Sequence, residues 1–421
     1  MSLVSKLALA AALALGSTAL GVSPAAAQKK DDKGGNLQVS DEFRKAAGPA
    51  ETAVKAKDWA TAAPLITAAE AAAKNDDEKY FAAWMRLQQA LGQNDQAGQL
   101  RALQVLVSNP KTPANAVQPY NAHLNLLLGL QAASAKKNAE AIQYLTKARE
   151  LGSTYPDIPV MLANAYGASG KNAEAVAEVD KAMATDAAAG RKSPEAWYKF
   201  VIPKVSASGD RAATARWLQR FIQAYPTTQN WRWATQVFGL TNQGTDRTAK
   251  IERMDRFRLL RATQSLADRG DYADYAYAAQ SSGLPWEAIS VIEEGRKSGK
   301  VPATDADVNR TFTAAQAGVK SSPSLDALAK QGEAAKDGKT ASQNADALLA
   351  AGDNARALAL YDQALTKGGV DASEINLHRG IALQRLGRKD EAKAAYQQVT
   401  APAYANLAML WLASVEFPPL S

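Results

Sequence analysis

Cysteine is missing from all 421 residues, and its absence excludes disulfides, thiolate nucleophiles and thiolate-bound metals at once. Histidine is nearly missing too. His123 and His378 are the only two, some 255 residues apart, so each reads as an ordinary helix-surface or packing residue and no metal site is expected. Aromatic residues make up 7% of a chain that is 47% hydrophobic; alanine carries much of the apolar content, which suits closely packed helices. No Gly-x-x-x-x-Gly-Lys, Gly-x-Gly-x-x-Gly, His-Glu-x-x-His or Gly-x-Ser-x-Gly arrangement occurs. Phosphate loops, dinucleotide sites, zinc-protease helices and hydrolase elbows are therefore without support, and no cofactor is implied.

Charge is scarce at the amino terminus, where Lys6 stands alone before an apolar run from Leu7 to about Leu20 and the small-residue sequence Ala25-Ala26-Ala27. This reads as a secretory signal over residues 1–27, cleaved after Ala27. Ser17, Thr18 and Gly21 interrupt the run, which is short of the ~20 apolar residues that a membrane-spanning helix needs. Removing Lys6 takes the formal charge from +7 to +6, and a mature chain starting at Gln28 has no cysteine to carry a lipid. A soluble exported protein is expected, periplasmic in a Gram-negative cell or, alternatively, secreted. Residues 28–40 are polar, charged and glycine-containing, and read as a flexible, disordered leader.

What the chain has instead is a repeated phrase. Asn138-Ala139-Glu140-Ala141 returns as Asn172-Ala173-Glu174-Ala175, 34 residues later. Around each copy the apolar residues follow helical spacing, as in Leu128 and Ala132 then Ile142, Leu145 and Ala148. Each copy is thus a pair of amphipathic helices, too short to be stable alone and dependent on stacking against neighbours. In this the chain resembles the tetratricopeptide repeat family, whose pattern is Trp-x2-Leu-Gly-x2-Tyr, then Ala-x3-Phe, an Ala three further on, and Pro. Leu128-Gly129, Ala141, Leu145 and Ala148 match it in the first copy; Leu162-Ala163, Tyr166, Ala175, Val179 and Ala182 match it in the second.

The resemblance implies an all-α fold, a right-handed α-solenoid of about 8–10 such repeats, several of them degenerate, spread over most of Asp41 to Thr400. Ala62 and Ala97 read as the equivalent small residues of the first two units, 35 apart, although Arg101 and Gln104 then occupy positions that are usually apolar. The segment 41–300 reads as an N-terminal solenoid, 301–340 as a degenerate helix pair or hinge, and 341–417 as C-terminal repeats closed by a capping helix from about Ala403 to Val415. Trp197, Trp217, Trp231 and Trp233 are expected to fill spaces between stacked helices. Arg247, Lys250, Arg253, Arg256, Arg258 and Arg261 crowd one segment, either as a solvated face laced with ion pairs or as a patch for an anionic ligand.

In the family, first helices line a concave surface that holds a peptide or a partner's helix. By that likeness Asn164, Lys199, Tyr277, Gln384 and Arg385 would face a ligand, though they do not reproduce the Lys and Asn set that clamps a C-terminal carboxylate. The expectation is a non-catalytic scaffold for protein or peptide partners in the cell envelope. A glycan-associated scaffold in exopolysaccharide export or wall assembly, meeting acidic polysaccharide, is the alternative. A superhelical lytic transglycosylase is a third, but the Glu-Ser pair of its lysozyme-like domain does not occur. Nucleic acid is not an expected partner, because the basic stretch lacks interleaved aromatic residues and export removes the usual targets.

Overall fold

Residues 37–242 and 244–420 are described by a computed structural model, with 21 α-helices and, as the only sheet-like pairing among the described residues, one isolated bridge between Thr227 and Leu420. The expected signal segment lies outside these residues. Two compact units part between Ser193 and Pro194. The first contains α1 (Asp41–Lys55), α2 (Trp59–Ala72), α3 (Asp76–Gly92), α4 (Gln96–Ser108), α5 (Ala114–Ser134), α6 (Asn138–Glu150), α7 (Ile158–Ala168) and α8 (Asn172–Ala188). The second opens with α9 (Glu195–Ala207), α10 (Arg211–Ala224), α11 (Thr228–Leu240), α12 (Arg247–Ala262), α13 (Arg269–Ser281), α14 (Pro285–Lys297) and α15 (Ala306–Ser321). It continues through α16 (Leu325–Ala334), α17 (Gly338–Ala350), α18 (Asn354–Lys367), α19 (Ala372–Arg385), α20 (Lys389–Gln397) and α21 (Pro402–Glu416).

One turn shapes eight of the helix pairs. Lys57, Asn94, Lys136, Gly170, Gly209, Gly283, Gly352 and Gly387 each take positive φ, two residues before the second helix of the pair begins. Glycine enters that conformation without strain, which explains its use at five of the eight. In seven the next N–H reaches back to the carbonyl five residues earlier, as Asp58 to Ala53 at 3.0 Å and Lys171 to Tyr166 at 2.9 Å, satisfying a carbonyl that the first helix leaves open.

This turn fixes which side chains enter the core. The fourth residue of the second helix is small and fully buried in seven pairs: Ala62, Ala141, Ala175, Thr214, Ala288, Ala357 and Ala392. In α4 it is Gln99, not a small residue, and Ala97 is exposed. The sequence spacing of 35 is therefore two short there, since Asp95 caps α4 and starts it at Gln96. The corrected register removes the anomaly of Arg101 and Gln104, which are exposed while Leu103 and Leu106 are buried. Gln99 is tolerated because its Nε2 donates to the Ala90 carbonyl at 3.3 Å and its Oε1 meets His123 Nε2 at 2.9 Å.

The first unit is a simple stack in which α1 to α8 pack in chain order, α1 touching α3 as well. Residues 37–40, assigned from sequence to a flexible leader, lie against it: Leu37 and Val39 pack on its core, and Ser40 N donates to Glu78 Oε1 at 2.7 Å. The second unit stacks likewise but closes on itself. Its last helix, expected to cover the end of the stack, packs on α19 and α20 and also on α10 and α12, with Leu407, Leu410 and Trp411 buried. Trp231 Nε1 donates to the Phe417 carbonyl at 3.3 Å and Leu420 N to Pro226 O at 2.7 Å, so the chain end is laced to α11. The segment 301–340 lies inside this unit, where α15 packs back on α13 and α14 while α16 packs forward on α17 and α18. The tryptophans fill space as expected: Trp231 and Trp217 are buried, and Trp233 meets Phe221 edge-on at 5.4 Å.

Candidate binding groove

The repeat pattern fails at α12, and a groove opens beside it. The fourth residue of α12, small and buried in the regular pairs, is the exposed Lys250. Between the end of α11, α12 and α13 lies a cavity of about 440 Å³, lined among others by Asn242, Lys250, Arg253, Arg256, Phe257 and Tyr277. A lobe of about 170 Å³ continues it toward Thr235, sharing Arg253, Arg256, Phe257 and Asp274. Phe257 forms a fixed wall, since it stacks on the buried Tyr275 with ring centroids 5.2 Å apart and planes within 8°. Tyr277 is 68% exposed.

The charges in the groove are unbalanced. Glu252 is buried and already accepts from Arg211 Nη2 at 2.7 Å and Asn242 Nδ2 at 2.8 Å. Asp271 is held by Arg232 at 2.9 Å, which leaves Asp274 as the one carboxylate lining the groove without an ion pair among the described residues. Lys250, Arg253 and Arg256 likewise have no salt bridge among these residues. Arg256 lies on bare backbone: a Cβ at Gly239 would stand 1.6 Å from its Nη1, and its Nε is buried without a hydrogen-bond partner. Burial pulls its pKa down, the nearby Glu252 opposes that, and the guanidinium stays charged because its ordinary value is so high.

The other three basic residues of the segment are spent on structure. Arg247 forms a two-pronged pair with Glu374, both bonds 2.7 Å, and Glu374 also accepts from Tyr404 at 2.9 Å, tying α12 to α19 and α21. Arg261 bonds Glu294 at 2.7 Å. Arg258 is buried in a network that spans six helices, α12, α13, α14, α17, α18 and α19. It donates to Asp255 at 2.9 Å and to Glu287 at 2.6 Å; Tyr275 donates to Glu287 at 2.6 Å, and Arg385 stands 3.6 Å from it. His378 bridges Asp346 at 2.9 Å and Asp255 at 3.1 Å, and Tyr361 donates to Asp346 at 2.6 Å. Burial alone would lower the His378 pKa, but the two carboxylates outweigh it and push it up to about 10. Arg258 and Arg385 overcome the opposite effect of burial at Glu287 and hold it down at about 2. Every carboxylate here faces a cation and both imidazole nitrogens are engaged, so the network bolts helices together and leaves no group poised for proton transfer. No group of three or more potential metal ligands occurs among the described residues.

The packing inside the helix pairs follows the spacing of the repeat pattern. A Cβ on Gly129 would fall 2.7 Å from Leu145, and one on Gly380 would fall 2.3 Å from the Tyr396 ring, each pair sixteen residues apart and each crossing between the two helices. With the small residues Ala141 and Ala392 four positions before those side chains, this is the Leu-Gly to Ala-x3-Phe contact. In this packing the helix pairs resemble tetratricopeptide repeats.

No protein-family model matches the chain, and no curated protein matches it. Among solved structures it is similar to a tetratricopeptide repeat protein from Parabacteroides merdae, 12% identical, covering 70% of this chain and 98% of that one with a TM-score of 0.29. It is also similar to Rap protein complexed with competence and sporulation factor, 11% identical over 88% of this chain and 99% of that one, TM-score 0.24. A third is the TPR2AB domain of yeast Sti1 in its pHSP90 complex, 13% identical over 70% and 98%, TM-score 0.19. Those superpositions are loose, and the likeness goes no further than the all-helical repeat fold.

The positions that the tetratricopeptide likeness put on a ligand-facing surface fall in different settings. Tyr277 lines the groove. Lys199 is exposed and paired with Glu195 at 2.7 Å; Asn164 is half-buried in the first unit, its Nδ2 without a partner. Gln384 and Arg385 are engaged within the second unit: Gln384 donates to Ser414 at 3.1 Å and accepts from Tyr396 at 2.8 Å, while Arg385 donates to the Leu349 carbonyl at 2.9 Å. Among the described residues no helix is long and apolar enough to cross a membrane.

Proposed function

We propose that the chain is an exported, non-catalytic scaffold that binds a protein or peptide partner in the cell envelope, with the groove beside α12 as its binding surface. The observation that carries this reading is the groove itself. Three cations without ion-pair partners among the described residues line one groove with an exposed tyrosine. Export, with the periplasm as destination, is supported by the signal-like segment ending at Ala27, and sequencing the mature chain should give Gln28 first. The absence of a Glu-Ser pair and the pairing of Asp255, Glu287 and Asp346 within the buried network support a role without catalysis, and purified protein is expected to release no soluble fragments from cell-wall material.

A photo-crosslinking residue in place of Tyr277, activated in intact cells, is expected to capture discrete protein partners; the same residue in place of the exposed Lys57 of the first unit gives the background. Capture of acidic polysaccharide with no protein retained would reverse the ranking in favour of the glycan scaffold.

A further inference from the structure

We infer that the groove between α12 and α13 seats an extended, acidic stretch of polypeptide in which carboxylate side chains alternate with aromatic or aliphatic ones. This rests on the scaffold reading and names the chemistry of the occupant. Lys250, Arg253 and Arg256 line one cavity with Asp274 as the single unpaired acid, so the groove carries excess positive charge, and a concave, partly dry wall raises its potential further. The Nε–H of Arg256 is buried without an acceptor, and the remainder of its guanidinium lines the groove as a donor for a charge-assisted hydrogen bond to a carboxylate.

Spacing and apolar surface select the form of the ligand. Lys250 and Arg256 are six residues apart on α12, roughly 9 Å along its axis at the usual helical rise. Side chains on one face of an extended strand repeat about every 7 Å, so two acids separated by one residue meet this row together. The side chain of an intervening residue, or one flanking the pair, finds the Phe257 ring and the exposed Tyr277 ring in the same cavity. The row of cations beside two aromatic faces offers charge and apolar contact together, which acidic and apolar side chains of one segment supply at once. The acids recognised are side chains within that segment.

The test uses the full mature chain and an amidated, fluorescein-labelled dodecapeptide alternating Glu with Phe or Leu, read by anisotropy. Saturable binding is expected, about tenfold weaker when Gln replaces Glu in the peptide and about tenfold weaker for K250E or R253E, whose side chains are exposed and whose charge reversal spares the fold. Gly239→Ala supplies a variant of unchanged charge: its Cβ would displace the Arg256 guanidinium, and a several-fold loss is expected. Equal binding of the Gln peptide, insensitivity to R253E and G239A, or binding of oligogalacturonate in place of the peptide would overturn the inference. Crosslinks to a protein at Tyr277 that persist in R253E would overturn it while leaving the scaffold reading intact. Peptide binding with no crosslinked partner in cells would sink the scaffold reading alone.

Discussion

The two units build the same helix pairs and stabilise them by different means. In the first, each helix packs on its chain neighbours, the core is rich in alanine, and the one buried histidine, His123, is neutral, with burial holding its pKa down at about 4. In the second, residues far apart in sequence are joined by charge: Arg247 to Glu374, and His378 to Asp255 across 123 positions. A stack held by nearest-neighbour contacts gains stability repeat by repeat. A stack closed on itself couples its early helices, here α10 and α12, to its last, so a fault at the closure is felt throughout. Closure also engages Gln384 and Arg385 within the unit, while Lys250, Arg253 and Arg256 on α12 stay without ion pairs among the described residues.

The largest test of that contrast is Asp255→Asn. Asp255 is fully buried between Arg258 and His378, and an amide offers one acceptor where two are needed while its NH₂ faces a cation. Breaking a buried pair on one side costs about 3–5 kcal/mol. Amide hydrogen exchange should show protection lost from α12, α17 and α19 together, with 41–188 unchanged. Loss confined to α12 would mean that the closure is not cooperative.

The histidines sharpen the comparison through pH. His123 is depressed from an ordinary value of 6.5 to about 4, so its folded form binds no proton where the unfolded form does. The associated stability is present above pH 6.5 and is lost as pH falls toward 4, ~3 kcal/mol in all. His378 is raised to about 10, so its contribution is complete below pH 6.5 and is lost as pH rises through 10. Near pH 5 the first unit should weaken while the second does not, and near pH 9.5 the order should reverse. Proton NMR titration of the two imidazoles with exchange measured at both pH values checks this. Loss from both units at the same pH would remove the distinction.

How much of this was legible in the sequence depended on how far each interaction reaches along the chain. The pairs around Ala141, Ala175, Ala357 and Ala392 were readable because a turn residue, a small residue and an apolar one recur within a single hairpin. The slip at Ala97 arose because Asn94-Asp95-Gln96-Ala97 offers two plausible helix starts, and only the Asp95 side chain bonding Gly98 N at 3.0 Å chooses between them. The basic segment was visible as a cluster, but its division into spent and available cations was not, since Arg247 finds its acid 127 residues away and Arg258 finds Glu287 29 away. His378 looked ordinary for the same reason. Tyr277 was placed by repeat position, whereas Phe257 and Asn242 carry no sequence signal that would have joined them to it.

The smallest effect compares two glycines in matching positions, one in each unit. Glycine to alanine inside a helix gains up to ~1 kcal/mol from propensity alone. At Gly129 the new methyl would meet Leu145 Cγ and Cδ2 at 2.7 Å and its backbone N at 3.2 Å, so the buried leucine must shift, and the propensity gain offsets only part of that cost. At Gly380 it would meet the rigid Tyr396 ring at 2.3 Å, and that ring is stacked on Trp411 and donates to Gln384 at 2.8 Å. Overpacking against a ring that cannot move costs about 1–3 kcal/mol. G380A should therefore lower the unfolding free energy of the second unit, read by denaturant titration, by about 1–2 kcal/mol net of propensity, while G129A lowers that of the first by about 0.5–1 kcal/mol. Equal losses at both sites would show that the clash is absorbed by the helix backbone, and that the aromatic seat at Tyr396 gives the closed unit no rigidity that the leucine seat lacks.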